Sequence, residues 1–544
     1  MPFWSQLPRE LQLQIFEELI YDRERRPEHH VLAKCASVCR SWQDEFEPEV
    51  FKKLCLSQSC LPKFRSIVGG TKKYRLEYIR HLWLRVRLNK YNCKVCQKAE
   101  DAKTIRKNCI TFTNAVWNLL KILSTWDSEQ EPQTSRGIPY GLELEMSVHS
   151  PSDNEHVFRP LCLADHCPYT NWHNLIRDDA EIVRLHDELS TLHDPPHGWT
   201  NGSHAIPNPS GSTSGNPSGR DRLLGTTPLD FNFSNVPHQC GPGSSRKRTL
   251  PVVPLVRRFT VRRSTFRGFS PRVLFRLLHE SFAEITELRL EKWMELYADQ
   301  QTEYRQEFQR LLHVHGLPKS LKELYLVEES STALHPSDTS SGRSALGFQL
   351  ARHSRGLEKL SISWNTDAAG FFQEYFRDRW DAASPISRAR APWADLTALT
   401  LTCSKLQPGD SSVRKPQREL LRAACVAARL MPRLELLEIW NCGDDSAALF
   451  EFDMREDKSK PPLITWMTTW QSRFTAKDKV FECWRKLARE RDPEGREPDV
   501  NVFTIALPSE ERQSKWGLRL FLSEQILHLK SSEQITWEKE STEA

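Results

Sequence analysis

The sequence predicts a mixed α/β fold in which short helices are followed by an irregular solenoid of helix–strand units. Three observations carry this expectation. Residues 7–20 bear an apolar stripe at helical spacing, and residues 32–46 bear a second. Further on, five triplets of the form Leu-x-Leu or Leu-x-Ile recur at a near-constant distance between residues 288 and 439.

The first segment runs Leu7-Pro8-Arg9-Glu10-Leu11-Gln12-Leu13-Gln14-Ile15-Phe16-Glu17-Glu18-Leu19. Pro8 suits the first turn of a helix, where its missing N–H costs nothing. Leu11, Ile15 and Leu19 recur every four residues, and Phe16 and Ile20 widen the stripe. In the second helix Leu32, Cys35, Val38, Trp42 and Phe46 share a face. Two such helices are too small to stand alone, so the following array or another protein must cover them.

Residues 51–193 read as the first part of a helix–strand array. Leu76 to Leu84 forms one weak unit, and the helical Phe112 to Leu123 with the strand Leu142-Glu143-Leu144 forms another. A linker follows over residues 194–250. From Pro195 to Gly219, 15 of 25 residues are Pro, Gly or Ser, which leaves too little apolar surface to offset ordering. It reads as a loop inserted into one array. Val256 to Val261 reads as a strand after it, and residues 251–544 form the second part of the array.

There the first Leu of each closing triplet falls at 288, 324, 360, 399 and 437, so the spacings are 36, 36, 39 and 38. A constant period with one shared motif marks a repeat array. The alternating Leu turns one strand face inward, where the preceding helix covers it. The expected helices are Pro271 to Phe282, Glu303 to His313, Phe371 to Ala382 and Gln417 to Leu430. The units resemble leucine-rich repeats, although they exceed the roughly 20–29 residues of that class and lack its regular Asn.

The opening segment resembles the F-box motif over residues 5 to about 50. It matches at Leu7, Pro8, Glu10, Leu11, Ile15, Phe16, Leu19, Val38, Cys39, Arg40 and Trp42. An F-box (residues 1–50) followed by a divergent, Trp-rich repeat body looks like the F-box proteins abundant in filamentous fungi. The resemblance implies docking on the Skp-type adaptor of a Skp–cullin–F-box ubiquitin ligase, with the body selecting a protein substrate. It places Leu7, Pro8, Leu11, Ile15, Phe16 and Leu19 against the adaptor. Val38, Cys39 and Trp42 would contact it too, or pack the helical domain. The Arg- and Glu-rich stretch Tyr21 to His30 lengthens the gap between the helices beyond the usual form. A rival reading is a scaffold that binds the adaptor but never joins a ligase.

In a solenoid, the strand residues between the buried Leu face outward on the concave side. Arg289, Tyr325, Ser361, Thr400 and Glu438, with Trp440 nearby, are therefore the expected substrate surface.

Other functions find less support. The net charge of +5 over 544 residues gives no general reason for a nucleic-acid or membrane partner. No stretch approaches the roughly 18–20 apolar residues of a membrane span, and Met1 to Arg9 does not form a secretory signal. The 14 scattered Cys fit reduced thiols of a cytoplasmic or nuclear protein. No phosphate-binding loop or His-Glu-x-x-His appears. Gly211 to Gly215 has Thr where a nucleophilic Ser belongs. A dispersed catalytic site around Asp444-Asp445 or between Cys93 and His173 is the enzyme alternative. Cys93-x-x-Cys96 is the one metal-like pair, with Cys109, Cys162, His166, Cys167 and His173 as possible co-ligands, but no regular finger spacing results. No cofactor is expected. The basic run Ser245-Arg246-Lys247-Arg248, continued by Arg257, Arg258, Arg262, Arg263 and Arg267, reads as a solvated face, with an import signal as the alternative.

Overall fold

The computed structural model describes residues 4, 7–21, 29–126, 141–156, 191, 193–195, 199–200, 203–204, 222, 224–236, 249–265, 267–293, 298–329, 340–376, 393–408, 411–443, 445–455, 460–508 and 516–535. The fold is mixed α/β. The chain divides into two compact units, one of residues 1–269 with 279–284 and 536–544, the other of residues 270–278 and 285–535.

The first unit opens with three helices, α1 (Arg9–Tyr21), α2 (His29–Ala36) and α3 (Arg40–Lys52). Strand β1 (Lys53–Ser57) comes next, then α4 (Leu61–Val68), β2 (His81–Arg87), α5 (Ala102–Leu123), β3 (Leu142–His149) and β4 (Val256–Val261). The four strands pair in parallel in chain order. Helix α5 begins where Asp101 accepts a hydrogen bond from the Thr104 N–H at 2.8 Å. It buries Phe112, Val116, Leu119, Leu120 and Leu123, and Leu82, Leu84, Leu144, Met146 and Phe259 of the strands are likewise buried. Strands β3 and β4 flank the Pro/Gly/Ser-rich stretch and lie side by side. The linker expected over residues 194–250 falls largely outside the described residues.

The second unit comprises α6 (Pro271–Arg276), β5 (Glu287–Trp293), α7 (Ala298–His315), β6 (Glu323–Glu329), α8 (Ser340–His353), β7 (Lys359–Ser363) and β8 (Ala398–Thr402). It continues with α9 (Ser411–Ala428), β9 (Leu436–Gly443), β10 (Ser446–Asp453), β11 (Leu463–Thr468), α10 (Glu482–Arg491) and β12 (Asp499–Thr504). Strands β5 to β9 are parallel neighbours in chain order. The leucines that set the period, Leu288, Leu324, Leu360, Leu399 and Leu437, pair in one row across all five. Leu290, Leu326, Ile362, Leu401 and Ile439 form the next row. Period-two alternation puts both rows on one face of the sheet.

Beyond β9 the chain departs from the expected leucine-rich-repeat solenoid. Strand β9 turns back through Gly443 and Asp445 (φ 60°) into antiparallel β10 and β11, and β12 then pairs in parallel with β11. The short side chain of Asp tolerates that left-handed turn conformation. Trp484 of α10 lies 4.9 Å from Phe450 and 5.2 Å from Phe452 of β10, covering the Leu-bearing face there. Of the expected helix Phe371 to Ala382, residues 377–382 lie outside the described residues, and a helical turn at Ala368–Phe371 with a 3-10 turn at Gln373–Tyr375 stands in its described part.

Candidate functional site

The stripe on α1 divides in two. Phe16 is 1% exposed and packs with Trp4, Trp42 and Phe46 at ring-centroid distances of 5.2, 5.2 and 5.2 Å. Ile20, Cys35, Ala36 and Val50 close this core around Leu32 and Phe46. The Gln12 side-chain amide donates to the carbonyls of Trp4 and Leu7, both at 3.0 Å, fixing the entry to α1. Arg9 pairs with Glu45, tying α1 to α3. Glu47 of α3 accepts from Arg75 Nε at 2.8 Å and from the Tyr74 hydroxyl at 3.2 Å, which anchors the helices to the 3-10 segment Gly70–Tyr78.

Leu11, Ile15 and Leu19 remain exposed at 45%, 39% and 36%, and Val38 at 52%. Helical spacing aligns the first three along α1. Leu7 and Trp42 are half-buried, whereas Pro8 and Cys39 are exposed. Phe16 is therefore corrected from a partner-contacting residue to the centre of the small core. Sequence spacing puts it beside the stripe, but only packing shows which edge of the stripe turns inward. The side chains of the gap Tyr21 to His30 lie outside the described residues.

The residues of the expected substrate surface are covered rather than open to solvent. Tyr325, Ser361, Thr400, Glu438 and Trp440 are 3%, 1%, 0%, 0% and 0% exposed, and Arg289 is 8% exposed. They do lie on the face opposite the leucine rows, and Tyr325, Ser361, Thr400 and Glu438 form one register row. The chain's own residues 516–535 pack on Arg289, Tyr325, Glu438 and Trp440. Trp516, Leu518, Ile526, Leu527 and Ile535 enter a cluster with Val327, Trp364, Trp440, Cys442, Ala447, Leu449 and Met467. Arg289 donates to the Ile526 carbonyl at 3.1 Å. The Ser523 N–H donates to Glu438 at 2.6 Å and its hydroxyl to Glu451 at 2.8 Å. Glu291 accepts from the His528 N–H and the Ser531 hydroxyl. Glu524 meets the Tyr325 hydroxyl at 3.3 Å, Lys359 at 3.8 Å and Arg455 at 3.8 Å. Burial pushes the Glu438 carboxyl up to about 7, with the Glu451 charge adding to the rise and the Thr400 and Ser523 bonds opposing it. Sequence reasoning missed this cover because polar strand residues read alike under water or under a polar strap.

The basic residues after the linker divide: Arg257 and Arg258 keep a solvent-exposed part, as a solvated face would, and the later ones do not. Arg262, Arg263 and Arg267 are buried. Arg262 Nε reaches Glu145 at 2.6 Å and Arg267 pairs with Glu100. Arg257 and Arg258 meet Glu284 at 2.9 Å and Glu143 at 3.4 Å. Burial alone would raise Glu145, but Arg262 and His81 outweigh it and hold the carboxyl at about 2. Residues 245–248 fall outside the described residues. Cys93 Sγ lies 3.5 Å from His156 Nδ1, and the Cys96 thiol donates to the Cys93 carbonyl at 3.2 Å. Cys109 instead accepts from the Asp230 N–H. Among the described residues no three His, Cys, Asp or Glu are placed to hold a metal; Cys162, His166, Cys167 and His173 lie outside them. No described helix is long and apolar enough to cross a membrane.

Comparison with known families adds two matches. A family model described as F-box-like matches residues 4–57, which span α1 to β1. A model described as a family of unknown function, DUF6546, matches residues 316–534, from just after α7 to near the end of the covering segment 516–535. No curated protein matches the chain. The chain thus carries an F-box-like domain, the kind of domain that points to adaptor roles in ubiquitin ligases.

Proposed function

We propose that the protein is a substrate-recognition adaptor of a Skp–cullin–F-box ubiquitin ligase. The observation that carries this is the exposed apolar line Leu11–Ile15–Leu19 on α1, within the F-box-like match, on a helix whose other side is already packed. An apolar line on a helix held rigid from behind suits a hydrophobic interface centre. The Skp-type subunit covers it, with Leu7, Pro8, Val38, Cys39 and Trp42 around it. The second unit selects the substrate protein, and the chain itself supplies no chemistry. Transfer is accelerated because substrate lysines are held near the charged ubiquitin. In this reading the protein works in the cytoplasm or nucleus.

The test is co-purification of the tagged full chain from cells, probing for the Skp-type adaptor and cullin. Both are expected with the wild type. Adaptor without cullin would support the scaffold reading, and neither would overturn both.

A further inference from the structure

We propose that residues 516–535 are an internal occupant of the substrate-binding face, a strap that a substrate segment of the same chemistry displaces. This rests on the adaptor reading for what the displacement achieves, but the contacts stand on their own. The strap uses a peptide's recognition features on the sheet. Its Ser523 and His528 N–H groups bind Glu438 and Glu291, and its Ile526 carbonyl accepts from Arg289. Its Glu524 carboxylate sits among Tyr325, Lys359 and Arg455. Ile526 and Leu527 enter the apolar cluster, and Trp516 lies 4.6 Å from Trp364. The strap begins as turns and bends and becomes helical only near residue 529.

Two features set this face apart from a permanent core layer. Its polar groups are incompletely satisfied: among the described residues, the Ser361 and Ser363 hydroxyls and the Trp440 indole N–H are buried without a protein partner. Buried polar groups are normally hydrogen-bonded, so an occupant that supplied those bonds would compete with the strap. Trp364, which presents its ring to Trp516 and Trp440, is held at φ 57°. That is a strained backbone for so bulky a residue, and such strain gathers at ligand clamps. The occupant is a protein segment with an acidic residue two positions before an Ile-Leu-like pair, as in Glu524-Gln525-Ile526-Leu527. The strap then sets a threshold, because apparent affinity scales with the fraction of time it is open.

The probe is a fluorescent synthetic peptide with the sequence of residues 516–535. It is titrated into the wild-type full chain and into the full chain carrying Ile526→Asp and Leu527→Asp. The variant is expected to bind at least about tenfold tighter, since its own strap no longer competes. A peptide bearing Glu524→Lys is expected to lose at least about tenfold of that affinity. In the wild type, hydrogen exchange at the Ser523 and His528 amides is expected to outpace that at Trp440 and Leu449. Equal protection at all four amides, loss of the folding transition in the variant, or no gain in its peptide binding would each overturn the proposal. Adaptor capture is measured on the same samples. Peptide binding that fails while adaptor capture persists rejects the strap alone, and the reverse rejects the adaptor reading alone.

Discussion

Replacing Glu438 by Gln should remove a specific part of the protein's pH dependence. Glu438 is 0% exposed and its carboxyl is raised by burial from 4.5 to about 7. The folded chain therefore holds this proton more tightly than the unfolded chain. The resulting stability is complete below 4.5 and is lost as the pH rises through about 7. At roughly 1.4 kcal/mol per pH unit, most of that interval is crossed between pH ~5 and pH ~8, a loss of about 2–3 kcal/mol. Glu451, also raised by burial, shifts in the same direction, so the wild-type profile alone cannot assign the effect. The Gln side chain keeps the shape, still accepts from the Ser523 N–H, and does not titrate. Urea titrations of both proteins at the two pH values provide the assay. The wild type should lose about 2–3 kcal/mol more than Glu438→Gln on going to the higher pH. Identical losses would refute the claim that Glu438 is held in this buried setting beneath the strap.

The neighbouring positions on α1 should behave in opposite ways. Phe16→Ala removes a 1%-exposed ring from the aromatic core and should cost about 3–5 kcal/mol, seen as loss of the cooperative melt of the first helices. The triple variant Leu11→Ala, Ile15→Ala, Leu19→Ala should leave that melt nearly unchanged. Burying such a side chain fully is worth about 1.5–3 kcal/mol, and the 45%, 39% and 36% exposures leave about two-fifths of each to a partner. The three losses sum to roughly 2–3.5 kcal/mol if independent, or roughly 30- to 400-fold in adaptor affinity by calorimetry. Glu47→Ala should leave Arg75 without its carboxylate and cost roughly 1–3 kcal/mol, read as a lower melting temperature.

Much of the second unit was legible in the sequence. The leucine period marked five recurring helix–strand units, and the structure sets their strands side by side in parallel register, because such a unit has few ways to bury its apolar face other than beside its neighbour. The antiparallel turn at Gly443 to Ser446 was not, since Leu449 to Phe452 read as well in either direction. On α1 the stripe was legible, but not its division between a core edge at Phe16 and an outer edge at Leu11, Ile15 and Leu19. Helical spacing gives a face, and only the positions of Trp4, Trp42 and Phe46 decide how much of it is already filled. The buried state of Glu438 and Trp440 depends on residues over 70 positions away, beyond the reach of any local pattern. Arg262 and Arg267 were misread for a similar reason, because their carboxylate partners Glu145 and Glu100 are distant in the chain.

Adaptor docking through α1 is tested most directly by a binding isotherm of purified Skp-type adaptor against the full chain and its Leu11→Arg, Ile15→Arg variant. Each Arg puts a charge into an apolar contact, at a cost of several kcal/mol unless it escapes to water. Saturable one-to-one binding is expected of the wild type. The variant should lose at least about a hundredfold in affinity, with the melt of the helical domain retained. Equal affinity of the two proteins would contradict docking through this helix and place any adaptor contact away from α1.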